Sequence, residues 1–241
     1  MLQAQTREKT VRQRATELTP AETVMTHNER RQRLADSMKD RDGTDVRLGK
    51  TTSNLFRDRN EVSRQKLLDV KDFNHVLQVD PDNSLIEVEG MTTYEELVDA
   101  TLPHGVMPAV VPQLKSITIG GAVSGIGIES SSFRYGLPHQ SIGEMDVLLA
   151  SGDVLTCTPD NDHSDLFYGL ANSYGTLGYI LRLTALAIPV KPFVQLTHIR
   201  FDKSEAFFNA IDQWSAGEID FMDGTVFAPG DHVLTLGRFV D

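Results

Sequence analysis

Between Pro112 and Gly136 the sequence reads PQLKSITIGGAVSGIGIESSSFRYG. Gly120, Gly121, Gly125, Gly127 and Gly136 are interleaved with the hydroxyl residues Ser116, Thr118, Ser124, Ser130 and Ser131 and a few small aliphatics. Glycine is unfavourable unless the backbone needs unusual dihedrals or must approach something closely. The stretch therefore reads as a loop, too rich in glycine for a stable helix and too poor in apolar residues for a core strand. Glycines, hydroxyls and free backbone N–H groups are what a bound phosphate or flat heterocycle requires. Composition alone leaves a plain surface loop equally open.

Two further stretches share this chemistry. Val46–Leu48 runs into Gly49-Lys50-Thr51-Thr52-Ser53-Asn54-Leu55, with Arg47, Lys50 and Arg57 supplying positive charge. By itself this is more readily an ordinary polar turn than an anion cradle. Asn172-Ser173-Tyr174-Gly175-Thr176-Leu177-Gly178 is the other. Neither familiar nucleotide fingerprint fits the longest stretch. A P-loop needs Lys followed by Ser or Thr after its glycines, and none follows. Gly125-Ile126-Gly127 opens a dinucleotide fingerprint, but Ser130 takes the third glycine's place and Pro138 arrives before a helix can form. A Rossmann NAD site is disfavoured.

The elements that must hold these loops can be read in order. Residues 1–43 form a polar tail with a weakly amphipathic helix starting near Thr26-His27-Asn28-Glu29, docking through Leu34 and Met38. Asn60–Lys66 is charged and exposed. Leu67–Val79 and Ser84–Val88 flank Asp80-Pro81-Asp82-Asn83, a strand–turn–strand signature. Thr92 or Thr93 caps a helix with Glu95 and Glu96 in its first turn, Leu97, Val98 and Leu102 on its inner face, and Pro103 with Gly105 as its stop. Met145–Ala150 and Val154–Cys157 flank Ser151-Gly152-Asp153 as a hairpin. Ser164–Tyr168 is a short helix and Tyr179–Pro189 a strand containing Arg182. Past Lys191-Pro192 come a strand (193–201), a helix (204–214) with Phe207, Phe208 and Ile211 inward, and two more strand-like runs ending in 233–240. That last run reads as an open sheet edge, so the chain is expected to be part of a longer protein.

Composition bounds the class. The chain has 241 residues, 40% of them hydrophobic, and a net charge of −11. That is ample for a packed core. The acidic balance argues against a nucleic-acid partner, although Arg and Lys do gather between Arg47 and Lys66. The single cysteine, Cys157, excludes an internal disulfide and a cysteine-based zinc site, and it reads as a structural strand residue. It fits a reducing cytoplasm. No apolar signal core opens the chain, and no run of about 20 apolar residues exists to cross a bilayer.

The order strand, glycine–hydroxyl loop, strand pair, capped helix, long Gly/Ser loop, hairpin, short helix, glycine loop, strand resembles the FAD-binding domain of the vanillyl-alcohol oxidase/p-cresol methylhydroxylase (PCMH-type) family. It is carried by Ser116–Ala122, Phe133-Arg134-Tyr135-Gly136, Glu144–Leu148, Asp153, Ser164-Asp165-Leu166-Phe167 and Gly175–Ile180. Gly125-Ile126-Gly127-Ile128-Glu129-Ser130-Ser131-Ser132 with Arg134–Leu137 is similar to its delta-24-sterol reductase branch. Thr51, Ser53–Arg57, Met91–Glu95 and Pro112–Lys115 look most like actinobacterial FAD-linked reductases of 10-methylene fatty acyl chains.

This resemblance implies an α+β fold: a two-subdomain FAD-binding domain over residues 44–190, then the start of an α+β substrate domain over 191–241. It implies that Lys50, Thr51, Thr52, Ser53, Asn54 and Leu55 take the pyrophosphate. Pro112, Ser116 and Thr118 would run past the flavin and ribityl chain. Gly120, Gly121, Ser124, Gly127 and Ile128 would hold the ribityl and diphosphate side. Gly175, Gly178 and Ile180 would close on the adenosine. The first loop lacks the histidine of covalent members, so FAD is expected to be noncovalent. The N-terminal strand–helix segment usual in the family is not legible in residues 1–43. The implied reaction reduces a carbon–carbon double bond of a lipid, a methylene-branched acyl chain or a sterol side chain, at a protein in peripheral contact with a membrane. Such a reduction needs a general acid. Tyr135, His139 and Glu129 are the local candidates, with structural roles the stronger reading for Tyr135 and Glu129. The rival readings are an FAD oxidase or dehydrogenase of polar alcohols or 2-hydroxy acids, and a noncatalytic FAD-binding fragment. The 241 residues alone are expected to turn over nothing.

Overall fold

The computed structural model describes residues 25–41, 46–49 and 67–241. The candidate cradle Lys50–Leu55 and the charged run Asn60–Lys66 lie outside these residues, as do residues 1–24.

The first described element is helix α1 (His27–Lys39). It starts where the sequence supplies a capping box: Glu29 N–H donates to the Thr26 hydroxyl at 3.3 Å, and Thr26 N–H donates to the Glu29 carboxylate at 2.7 Å. Leu34 and Met38 are buried, as expected, together with Ala35 and Arg30. Each of the two large apolar side chains stabilises the docking by roughly 1.5–3 kcal/mol.

α1 lies on one face of the main sheet. Its strands are β3 (Val76–Asp80), β4 (Leu85–Glu89), β6 (Ile142–Leu148), β7 (Val154–Cys157) and β8 (Tyr179–Pro189), in the order β3-β4-β8-β6-β7. The neighbouring pairs are antiparallel, and β5 (Val106–Pro108) pairs with the last residues of β8. β8 is the spine, and its alternating burial reflects partners on both sides. A short parallel pair, β1 (Arg47–Leu48) with β2 (Leu67–Leu68), adds to the α1 side. Leu34, Met38, Leu68, Val70, Phe73, Leu148 and Leu181 form that core.

The opposite face is covered by α2 (Tyr94–Thr101), α3 (Ile119–Gly125) and α5 (Ser164–Gly169). The cap of α2 is Thr93, paired with Glu96. Its buried residues are Tyr94, Leu97 and Thr101, whereas Leu102, expected inward, has passed into a 3₁₀ turn and is exposed. Cys157 is fully buried at the end of β7.

The glycine-rich stretch corrects one expectation. Ile119–Gly125 is a helix, N-capped by the Thr118 hydroxyl. Ile119, Ala122 and Val123 are buried in the main core, so three apolar anchors suffice to hold a helix that propensity alone would reject. Gly120 is required by packing: its N–H donates to Gly90 O at 2.9 Å, and a Cβ there would sit 2.7 Å from that oxygen.

Beyond β8 the chain builds a second unit. β9 (Phe193–Phe201), β10 (Phe221–Ala228) and β11 (Asp231–Val240) form a three-stranded antiparallel sheet in the order β10-β11-β9. β11 is therefore its centre, not the open edge expected from sequence. Helix α6 (Ser204–Ser215) covers one face through Phe207, against Leu234, Leu236 and Ile199. Phe208, expected inward, points outward at 60% exposure. The short helix α4 (Ser132–Tyr135) links the units. Phe133 joins the core under α6, and Tyr135 packs with Met107, Leu186 and Phe239.

Candidate functional site

α3 positions the glycine loops. The C=O of Ser124, near its C-terminus, accepts from Tyr174 N–H at 3.0 Å, which brings the Asn172–Gly178 loop against the Gly125–Gly127 turn. Just beyond α3, Ile126 holds φ 59°, a left-handed conformation rare for a β-branched residue. Its side chain is 40% exposed, and that of Ile128 is 82% exposed. Two apolar side chains thus stand out from a strained turn, a combination that points to something packing there.

The expected cofactor residues divide into two groups. Thr118 is spent as the cap of α3, Ser124 donates its hydroxyl to Gly120 O at 2.8 Å, and Gly120 is fixed against Gly90. Ile180 is buried in β8, paired with Val147. The buried Pro112 lies outside the regular elements. The second group is open. Among the described residues, the Ser116 and Ser130 hydroxyls and the N–H groups of Gly127 and Ile128 have no hydrogen-bond partner. A Cβ on Gly127 would come no nearer than 3.5 Å to Glu129 Oε1. Gly175 and Gly178 lie in the loop that Tyr174 ties to α3, with Gly175 at φ 82°. Gly121 is half-buried on α3. Two buried polar atoms near α3, Thr92 Oγ1 and His139 Nδ1, also lack a partner.

An isoalloxazine ring with a ribityl chain needs flat apolar contacts, open backbone donors and spare hydroxyls. Gly127, Ile128, Ser116, Ser130 and Thr92 provide these, so the residues present fit FAD. Lys115, in the Pro112–Thr118 stretch, is paired with Glu95.

The acid candidates also separate. Tyr135 is in apolar packing. Burial lowers the His139 imidazole below its usual range and favours its neutral form. Glu129 goes the other way: loss of water raises its carboxyl, the Asp223 charge adds to this, and one bond from Gln113 N–H to Oε2 at 3.2 Å opposes it. Asp223, on β10, is itself raised by lost solvation. The two units are joined here, because Met222 N–H donates to Ser130 O at 2.8 Å. Tyr94 lies below. It is 3% exposed, its phenol is raised by burial and then by the Glu129 charge, and its hydroxyl has no partner among the described residues. Sequence reasoning found Glu129 but gave it a structural role. It missed Asp223 and Tyr94, which no local pattern connects to it.

Residues 30–158 match the family described as FAD binding domain. Several curated relatives are delta(24)-sterol reductases. That of Pisum sativum is 30% identical over 183 residues, covering 71% of this chain and 32% of the relative. That of Homo sapiens is 32% identical over 167 residues, covering 69% and 32%. Cytokinin dehydrogenase 10 of Oryza sativa subsp. japonica is 28% identical over 170 residues, covering 68% and 30%. The chain belongs to the PCMH-type family of FAD-binding domains, as its glycine loops led us to expect, and FAD is the cofactor this indicates. It spans about a third of the length of the curated relatives it matches. Among the described residues, no helix is long and apolar enough to cross a membrane.

Proposed function

We propose that the full-length protein is an FAD-dependent oxidoreductase that reduces a carbon–carbon double bond in a lipid, in a methylene-branched acyl chain or a sterol side chain. When bound, FAD supplies the hydride. The Gly125–Ile128 turn and the Asn172–Gly178 loop, with Pro112–Thr118, orient it, and Lys50–Leu55 neutralises its pyrophosphate. The cofactor is held noncovalently. Residues 44–190 form the FAD-binding part, and 191–241 begin the part that meets the substrate, at a protein that touches membranes peripherally.

The observation that carries this reading is the uncovered face of the β10-β11-β9 sheet. Strand alternation puts Leu234, Leu236 and Ile199 under α6, and Val194, Leu196, Val233, Phe221 and Phe239 on the other side. Val194 is 42% and Leu196 57% exposed. Phe221 and Phe239 meet edge-to-face at 5.2 Å, and Phe239 touches the FAD-binding part beside Tyr135. Asp223, Thr235 and His198 share this face with the apolar residues, and Arg200 on it is tied to Asp231. Its apolar part suits a hydrocarbon, and its arginine is already paired instead of free for the carboxylate of a 2-hydroxy acid. The direct test incubates the reduced full-length protein with unsaturated lipids and follows their mass. A gain of one hydride plus one proton is expected. No gain with any lipid, together with rapid oxygen uptake on a polar alcohol, moves the assignment to an oxidase.

A further inference from the structure

A hydride from the flavin reduces one carbon of a double bond, and the other carbon needs a proton that the flavin does not provide. We propose that Glu129 is that proton's donor, acting from Oε1, with Asp223 as its positioning partner across the junction of the two units. This rests on the lipid-reduction reading above.

The geometry distinguishes the two carboxyl oxygens. Oε2 accepts the Gln113 N–H, which makes it the poorer place for a proton. Oε1 has no donor, and it lies beside Gly127, where the backbone is open. Glu129 is held from both ends, since its N–H donates to the Ser132 hydroxyl at 3.0 Å and its C=O accepts Ser132 N–H at 2.9 Å. It therefore sits between two stretches expected to touch the flavin, Pro112–Thr118 and Gly127–Ile128.

The groups that face it do not neutralise it. From β10 comes Asp223, a like charge, and from α2 comes Tyr94, whose hydroxyl has no partner among the described residues. Arg134, nearby on α4, turns its guanidinium to Gly217 O at 2.8 Å. Among the described residues, neither Glu129 nor Asp223 is in an ion pair. A carboxyl with a like-charged neighbour, partly withdrawn from water and with no cation, holds its proton above the ordinary glutamate range.

In the step, the carbon–carbon π bond opens. One carbon gains the hydride, the other takes the proton from Oε1 as the O–H bond breaks, and Glu129 is left as a carboxylate. Water returns the proton before the next turnover, and Asp223 favours that return.

Two measurements test this. In the first, the side-chain carboxyls of isotope-labelled full-length protein are titrated by NMR, with Glu129→Gln assigning the resonance. Glu129 is expected to titrate above the ordinary glutamate range, and Asp223→Asn to move it down. A midpoint at or below the ordinary value overturns the proposal. In the second, the flavin is reduced chemically and mixed with the lipid substrate or with oxygen. Glu129→Gln should keep its FAD and its reoxidation by oxygen, yet lose lipid-driven reoxidation by about a hundredfold or more, the usual scale of general acid catalysis. Asp223→Asn should shift the basic limb of the pH profile for lipid-driven reoxidation down. If Glu129→Gln reduces lipid as fast as the unmodified protein, the donor assignment falls and lipid reduction stands. If no lipid reoxidises the unmodified protein, the lipid reading falls and this inference with it.

Discussion

Two junctions, one buried and one half-open, each turn on a carboxyl group. At the first, Glu89 at the end of β4 meets α1. It is fully buried and accepts from Arg30 at 2.5 Å, His27 at 2.7 Å, and the ring and N–H of His75 at 2.7 and 3.1 Å. Burial raises this carboxyl, but the bonds from His27, Arg30 and His75 outweigh it and hold it below the usual range. At the second, Glu129 meets β10 with one backbone donor and a like charge, and its carboxyl is raised. The contrast separates structure from chemistry. A buried carboxylate surrounded by donors is a fastener, whereas a half-buried one starved of donors costs stability and suits the proton donor proposed above.

The largest effect should come from breaking the fastener. Glu89→Ala leaves Arg30 buried without a carboxylate for its charge, since its remaining partners are Met25 O, the His75 ring and the face of Phe73. Breaking a buried pair on one side costs about 3–5 kcal/mol. Chemical denaturation should show that loss, and proteolysis should attack α1 first. A loss well under 1 kcal/mol would mean that α1 is held by Leu34 and Met38 alone.

The glycines test the same division inside the site. Gly120→Ala would press a methyl group against Gly90 O, at a cost of about 1–3 kcal/mol, read as a fall in melting temperature. Gly127→Val meets nothing nearer than 3.5 Å for its Cβ, so stability should hold while flavin content collapses. Full flavin occupancy in Gly127→Val would remove the turn from the cradle. Acid precipitation of the unmodified protein should release all the yellow colour into the supernatant. Colour left in the pellet would overturn noncovalent binding.

What sequence made legible follows the range of the forces involved. The turn at Asp80–Asn83, a threonine cap before Glu95 and Glu96 (Thr93 of the two candidates), the Ser151-Gly152-Asp153 hairpin and the strand role of Cys157 all depend on near neighbours, and all stand. α3 was missed because its stability comes from three side chains buried in a core that other segments build. Phe208 and Leu102 were placed inward by periodicity, which cannot say where a helix's partner ends. The expected loops did carry the open backbone donors at Gly127 and Ile128. Asp223 could not be tied to Glu129, because only the Met222–Ser130 bond between units makes them neighbours. Likewise Arg30 in a charged helix gives no sign that it will be buried against Glu89.

The smallest effect is the sharpest test of the comparison, because the two carboxyls should give stability opposite slopes with pH. Glu89 has a folded-state pKa below its unfolded value. Its contribution is present above the unfolded value and is lost as pH falls through the folded one. Glu129 has a raised folded-state pKa. The folded state then binds more protons than the unfolded state between the two values, so stability falls as pH rises from the unfolded to the folded value, and the cost persists above it. In Glu129→Gln the fall in stability just above the ordinary glutamate range should flatten, with a gain of order 1 kcal/mol or less near neutral pH, consistent with a group only partly withdrawn from water. The acid side, set by Glu89, should not move. Denaturation across the pH range would show this directly. A Glu129→Gln protein that loses stability near neutral pH would make Glu129 a second fastener, and the difference between the two junctions would disappear.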